Sequence, residues 1–293
     1  MIVAADLEGT LTSGESRKAV GRYLAENGRG RAYRRFFLTH LPGALLVKAR
    51  LLPRPWYRDR WMVDLARLFK GWDEPDLRRM AEWLVEHELW VLRRPSVIAE
   101  LEEHRRQGAA LILASATYQP VLEAFAERCG ARALGTRLEV VDGVATGRIS
   151  GRVNAGGEKA DRLVSAIAPE PLSIAYGDSV SDIPMLELSA APVAVLPDAG
   201  LRRLAARREW RGCFGWRSGL GSFSAPAVPQ SSGCALPSAG PAPARRERRR
   251  WSGHGGRECF PGFSGRRGAW TGSRVVVLAA RAGPTAGWCA VGA

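Results

Sequence analysis

Three apolar runs of strand length in this chain each stop at a residue able to do chemistry, and that recurrence limits the folds open to it. Residues 2–5 (IVAA) stop at Asp6, residues 111–114 (LILA) at Ser115, and residues 173–176 (SIAY) at Gly177-Asp178. A fourth run, 193–196, stops at Pro197-Asp198. Helical periodicity fills the intervals between the later runs, at 97–107, 120–128, 158–168 and 184–189. Strands alternating with helices argue for an α/β fold whose parallel sheet is covered on both faces. Such sheets bind ligands outside the carboxyl ends of their strands, which is where these polar residues stand. A buried carboxylate without partners is costly, so Asp6 in that position calls for some. Gly108 and Gly130 fall where helix C-terminal caps are expected. Residues 138–152 read as a hairpin turning at Asp142-Gly143.

Residues 15–95 show helical periodicity without strands, at 16–27, about 31–39, 57–70 and 74–89. Asp73 is the expected cap of the last of these, with Pro75 in its first turn. An all-helical insertion after the first strand implies a cap over the crevice. The domain reading is therefore an α/β core over 1–14 and 93–212, a helical cap domain over 15–92, and a tail over 213–293. Trp56, Trp61, Trp72, Trp83 and Trp90 are expected in the helical core. The apolar piece 41–52 is assigned to bundle packing rather than to contact with a membrane surface.

The charge of +14 is unevenly placed. Residues 211–293 hold 12 Arg, no Lys and only Glu247 and Glu258, whereas residues 1–210 carry a net of only +4. The tail also lacks Asp, Asn, Ile, Met and Tyr but holds 16 Gly and 7 Pro. Such a stretch has little to bury, and disorder is expected. Its composition fits either a genuine basic tail or a GC-rich frame read out of phase. Nucleic acid is not the expected partner, because Arg245–Arg250, Trp251 and Trp270 have no ordered module to present them. None of the five cysteines forms a C-x-x-C pair, so neither zinc nor a disulfide framework is indicated. No run approaches the roughly 20 apolar residues of a membrane span, and the first residues lack a secretory pattern. A cytoplasmic setting without a membrane partner is the expectation.

Four separated elements stand in order: Asp6-Leu7-Glu8-Gly9-Thr10, then Ser115, then Lys159 at a helix start, then Gly177-Asp178-Ser179-Val180-Ser181-Asp182. This order resembles the haloacid dehalogenase superfamily of phosphohydrolases, in its phosphoserine phosphatase-like branch, across roughly residues 1–210. The resemblance implies a Rossmann-like parallel core with a helical cap, acting on a small phosphorylated metabolite. It implies Asp6 as the nucleophile that forms an aspartyl-phosphate, and Glu8 as the acid that protonates the leaving oxygen and then activates water. Mg²⁺ is the implied cofactor, held by Asp6, Asp178 and the backbone carbonyl of Glu8. Lys159, Ser115 and the backbone around Ala116 would bind the phosphoryl oxygens, with Asp182 and Thr10 orienting the groups in front of them. Glu15 matches a position that phosphoserine phosphatases use for the substrate amine. Arg58 and Arg60 are candidates for a substrate carboxylate by location.

Two positions depart from that pattern. Glu8 stands where most of these phosphatases carry Asp, and some relatives with the same spacing hand the phosphoryl group to an alcohol. A phosphotransferase using the same intermediate is the alternative reading. Ser181 stands where phosphoserine phosphatases commonly carry Asn.

Overall fold

The computed structural model describes residues 1–213; the expectations for the remainder of the tail lie outside the described residues. The chain runs β1 (Ile2–Ala5), α1 (Ser16–Glu26), α2 (Gly30–Lys48), α3 (Arg54–Leu65), α4 (Glu74–Leu84), α5 (Pro95–Arg106), β2 (Ala110–Tyr118), α6 (Gln119–Cys129) and β3 (Arg132–Thr136). It continues through β4 (Leu138–Val141), β5 (Val144–Ile149), α7 (Gly157–Ile167), β6 (Ile174–Gly177), α8 (Ile183–Glu187), β7 (Ala191–Val195), α9 (Ala199–Arg207) and β8 (Arg211–Cys213). Six strands form one parallel sheet in the order β3-β2-β1-β6-β7-β8. The chain winds outward from β1 through β2 to β3 on one side, and from β6 to β8 on the other. The crevice where the two directions part lies between β1 and β6, at the strand ends carrying Asp6 and Asp178.

Alternation along each strand divides the core in two. Val3, Ala5, Leu111, Leu113, Ile174 and Tyr176 join one apolar layer, while Ile2, Ala4, Ile112, Ala114 and Ala175 join the other. Successive side chains of a strand point to opposite faces, and runs apolar at every position therefore need cover on both sides. Leu163, Leu201 and Ala205 of α7 and α9 cover the second layer. Helices α5 and α6 and the segment between β1 and β2 cover the first. The hairpin β4–β5 turns at Asp142 and Gly143, both at positive φ, as that turn type requires.

That intervening segment is fastened to the sheet at several points. Tyr118 Oη donates to Met62 O at 2.5 Å, and the Phe69 and Tyr118 rings meet edge to face. Beside the Asp73–Val144 bridge, Gly71 N donates to Ala145 O and Ala145 N donates to Trp72 O. The chain leaves the sheet beside where it returns, because Thr12 bridges Arg93 and Ser13 N donates to Leu92 O. Asp73 caps α4 by accepting from Asp76 N at 2.7 Å, as expected.

Several expectations are corrected. Strand β2 runs past Ser115 to Tyr118, with its pairing to β3 shifting after Ala114; Ser115 lies where the ladder loosens rather than after its end. Helix α2 extends to Lys48 through Pro42 instead of ending near residue 39. Trp61 and Trp72 are buried as predicted, but Trp56 is exposed. The assignment of residues 41–52 to bundle packing also fails, since Leu41, Leu45, Leu46 and Leu51 face outward. Phe36 is the one buried residue of α2, and a single contact face suffices to hold a helix. Strands β3 and β8 are too short to show a period, and helix α9 was not read from the sequence although its buried Leu201 and Ala205 stand at helical spacing.

Candidate active site

The loop after β1 is held in shape by two fully buried leucines. Leu7 and Leu11 bury completely, and Leu11 N and Thr12 N both donate to Leu7 O. The turn closes through Gly9 at φ +90°, and Arg94 Nε donates to Gly9 O at 3.2 Å. A Cβ on Gly9 would lie 2.1 Å from Asp178 Oδ2, so only glycine lets the β1 loop approach the β6 loop. The result is that Asp6 and Asp178, 172 positions apart, share one small space.

Lys159, in the first turn of α7, enters that space from below. Its Nζ donates to Asp6 Oδ1 at 2.7 Å and to Asp182 Oδ1 at 2.6 Å, with the lysine only 2% exposed. Asp182 spends its second oxygen on Ser179 N, Ser179 Oγ and Asp178 N. Its carboxylate is thus committed within the β6 loop. Asp178 has one side-chain partner, the Thr10 hydroxyl at 3.4 Å. Carboxylate oxygens of Asp6, Asp178 and Asp182 lie within 4.8 Å of one another.

Three acids against one ammonium leave an excess of negative charge. Burial pushes the Asp6 carboxyl up to about 7 against the pull of Lys159, with Asp182 and Glu8 adding to the rise. Burial, then the neighbouring Asp6 and Asp182, push Asp178 up to about 8. For Asp182 burial acts the same way, but Lys159 and Ser179 overcome it and hold the group below its ordinary value. Burial opposes the charge on Lys159, and the two carboxylates outweigh it, so its pKa is raised. Asp6, Asp178 and Asp182 offer carboxylate oxygens there, the ligands a hard divalent cation takes. These residues fit Mg²⁺.

Above the acids lies a cleft of about 170 Å³ whose lining includes Glu8, Ser115, Ala116, Thr117, Ala155 and Ser181, with Arg17, Arg58 and Met62 at the helical side. Glu8 stands apart from the carboxylate trio. Its Oε1 accepts from Ser16 N at 3.1 Å, from the Ser16 hydroxyl, and from Thr117 Oγ1 at 3.0 Å. Buried Asn154 braces the opposite wall, donating through Nδ2 to Ser115 O and Leu134 O. Thr136 Oγ1 adds a bond to Ala116 O at 2.7 Å.

Asp6, Glu8, Ser115, Ala116, Lys159 and Asp178 therefore share one cleft, with Thr10 and Asp182 behind them. Glu15 does not line the cleft; it pairs with Lys18 at 2.6 Å and Arg17 at 3.5 Å. Of the two candidate arginines, Arg58 borders the cleft, whereas Arg60 turns to Asp64 at 2.7 Å. The sequence reading missed Ser16, Arg17, Thr117 and Asn154. Thr117 sits two residues from Ser115, on the same side of β2, and that alternation was the available signal. Asn154 carried none, because its contacts come from β2 and β3.

Residues 3–187 match the family described as haloacid dehalogenase-like hydrolase. A Mycobacterium tuberculosis (H37Rv) protein named phosphoserine phosphatase is 41% identical over 112 residues, covering 36% of this chain and 36% of its own length. The match thus spans little more than a third of the first curated relatives. A Neisseria meningitidis protein named histidinol-phosphatase is 27% identical over 224 residues, 70% of this chain and 94% of its own. The crystal structure of a protein of unknown function from Bordetella pertussis Tohama I superposes with a TM-score of 0.61 at 25% identity, over 72% of this chain and 96% of that one.

Proposed function

The chain belongs to the haloacid dehalogenase-like hydrolases, and from that membership we propose that it hydrolyses a small phosphomonoester through a phosphorylated Asp6, with Mg²⁺ as cofactor. The observation that carries the proposal is Asp6 fastened by Lys159 at 2.7 Å at the floor of a cleft that also holds Asp178 and Glu8. An Asp6 oxygen attacks phosphorus, the bond from phosphorus to the ester oxygen breaks, and Glu8 hands that oxygen a proton. Water then attacks the phosphoryl-aspartate while Glu8 takes its proton, releasing inorganic phosphate and free Asp6. Ser16 and Thr117 fix one Glu8 oxygen, which leaves the other to face the reaction. This tether makes up for the extra methylene of Glu over Asp.

Lys159 neutralises the nucleophile and the phosphoryl oxygens, and Ser115 with the backbone at Ala116 and Ala155 offers further donors. Mg²⁺, held by Asp6, Asp178 and the backbone carbonyl of Glu8, supplies charge compensation for the phosphoryl group when bound. Arg17 and Arg58 at the helical side of the cleft suit a substrate with a second anionic group, such as the carboxylate of a phosphoserine-like compound. Residues 15–92 act as the lid over that cleft. The phosphatase names of the Mycobacterium tuberculosis and Neisseria meningitidis relatives support the same reaction class.

The test is a phosphomonoester panel with Mg²⁺, run on the full chain and on Asp6→Asn. Hydrolysis by the parent, none by a folded Asp6→Asn, and one phosphoryl group on the Asp6 peptide after acid quench are expected. Activity retained by Asp6→Asn overturns the assignment. Turnover that rises with added alcohol and yields a phosphorylated alcohol turns the reading to the transferase.

A further inference from the structure

The outer face of α2 is built unlike the rest of the surface. Arg34, Leu38, Leu41, Leu45 and Lys48 follow one another at spacings of four, three, four and three, which stack them along one side of the helix. The opposite side, through Tyr33, Phe36 and Gly43, packs on α1 and α3: the Phe36 and Trp61 rings meet at 4.9 Å, and the Tyr57 ring lies against Gly43. Leu38 and Leu45 are consequently 59% and 58% exposed, and beyond the helix Leu51 and Trp56 reach 71% and 58%. Between Glu26 and Asp59 the sequence holds eight Lys and Arg and no acid. Arg31, Arg34 and Arg35 share a shallow depression with Leu38 and Thr39. Among the described residues none of Arg31, Arg34, Arg35, Lys48, Arg50 and Arg54 forms an ion pair.

We propose that this face, from Arg31 to Trp56, docks on an anionic lipid bilayer. Leucine, phenylalanine and tryptophan side chains ringed by long cationic ones are what an interfacial helix presents: apolar groups enter the acyl boundary while the cations stay at headgroup level. A second copy of the chain does not fit, because two faces with six cations each and no acid would repel. Residues 213–293 of the same chain do not fit either, carrying eleven Arg against two Glu. Nucleic acid fits the charge but leaves the leucines without work, since aliphatic side chains offer bases no stacking surface. Helix α3 runs from exposed Trp56 to Arg58 and Met62 on the cleft, so docking would hold the cleft close to the lipid surface.

The test is sedimentation of the full chain with phosphatidylcholine vesicles, with and without phosphatidylglycerol. Two variants accompany it, Leu38→Ser/Leu45→Ser and Arg31→Gln/Arg34→Gln/Arg35→Gln. All these positions lie away from the cleft, and circular dichroism checks that both variants keep their helices. Binding to the phosphatidylglycerol vesicles alone is expected. It should weaken about a hundredfold on loss of the three arginines and about tenfold on loss of the two leucines. The proposal is overturned if the parent stays in the supernatant, or if both variants bind as the parent does, which would move the contact to the basic tail. Self-association without vesicles that the leucine variant abolishes overturns it too, as does single-stranded oligonucleotide binding that the arginine variant alone removes while vesicle binding persists.

Discussion

At Gly9 the backbone turns through φ +90° and a Cβ would lie within the Asp178 carboxylate. The β1 and β6 loops can meet there only because the side chain is missing. Gly9→Ala is expected to push Asp178 outward, lower activity by more than about tenfold and cost at least about 1 kcal/mol of stability; paired kinetics and urea unfolding check both. Buried His104 makes a second prediction. Its Nε2 meets Tyr176 Oη at 2.8 Å, and burial, then Arg211, lower its pKa while Glu100 partly opposes them. The unfolded chain takes up a proton near about pH 6.5, the folded chain only at lower pH. Stability is therefore whole above about pH 6.5 and declines below it. Replacing the imidazole by Gln should flatten that decline in urea midpoints measured between about pH 7.5 and pH 5.5.

Helix-to-helix contact in the segment between β1 and β2 depends on glycine as well. A Cβ on Gly21 of α1 would lie 2.4 Å from the Tyr33 ring of α2, so the two helices touch backbone to ring. Elsewhere in a helix Gly→Ala gains up to about 1 kcal/mol. At Gly21 overpacking is expected to reverse the sign, with a net loss of about 1–3 kcal/mol read from thermal or denaturant unfolding. The periodicity of this segment was legible residue by residue, yet the partner of each face was not. Leu41–52 was assigned inward from hydrophobicity alone, but α1 and α3 already occupy the single inward face of α2. What remained had to face out.

On the scale of the whole molecule, negative charge gathered from two remote stretches is the dominant feature of the crevice. Asp6 and Asp182 share Lys159 with Asp178 close beside them, and a cation bound there stabilises the folded chain because the unfolded chain lacks the site. Mg²⁺ at about 100 times its dissociation constant should add about 2.7 kcal/mol, seen as a rise in the thermal midpoint. Asp178→Asn is expected to remove most of that rise, and EDTA to reverse it. This readout does not require turnover. Among the described residues no helix is long and apolar enough to cross a membrane.

Strand runs, their polar stops and the alternation with helices were set by local sequence. Apolar runs of four residues can be buried only in a covered sheet, and the parallel α/β core follows. The same local logic placed Asp6, Lys159 and Asp178 at strand or helix ends, whereas Ser115 lies within β2. Only the tertiary structure decided that Glu8 is tethered by Ser16 and Thr117, that Glu15 turns to Lys18, that Asn154 braces Ser115, and that α2 keeps a basic, apolar face outward. Each of these depends on a neighbour contributed by a distant part of the chain, and spacing along one segment does not encode which segment will arrive beside it.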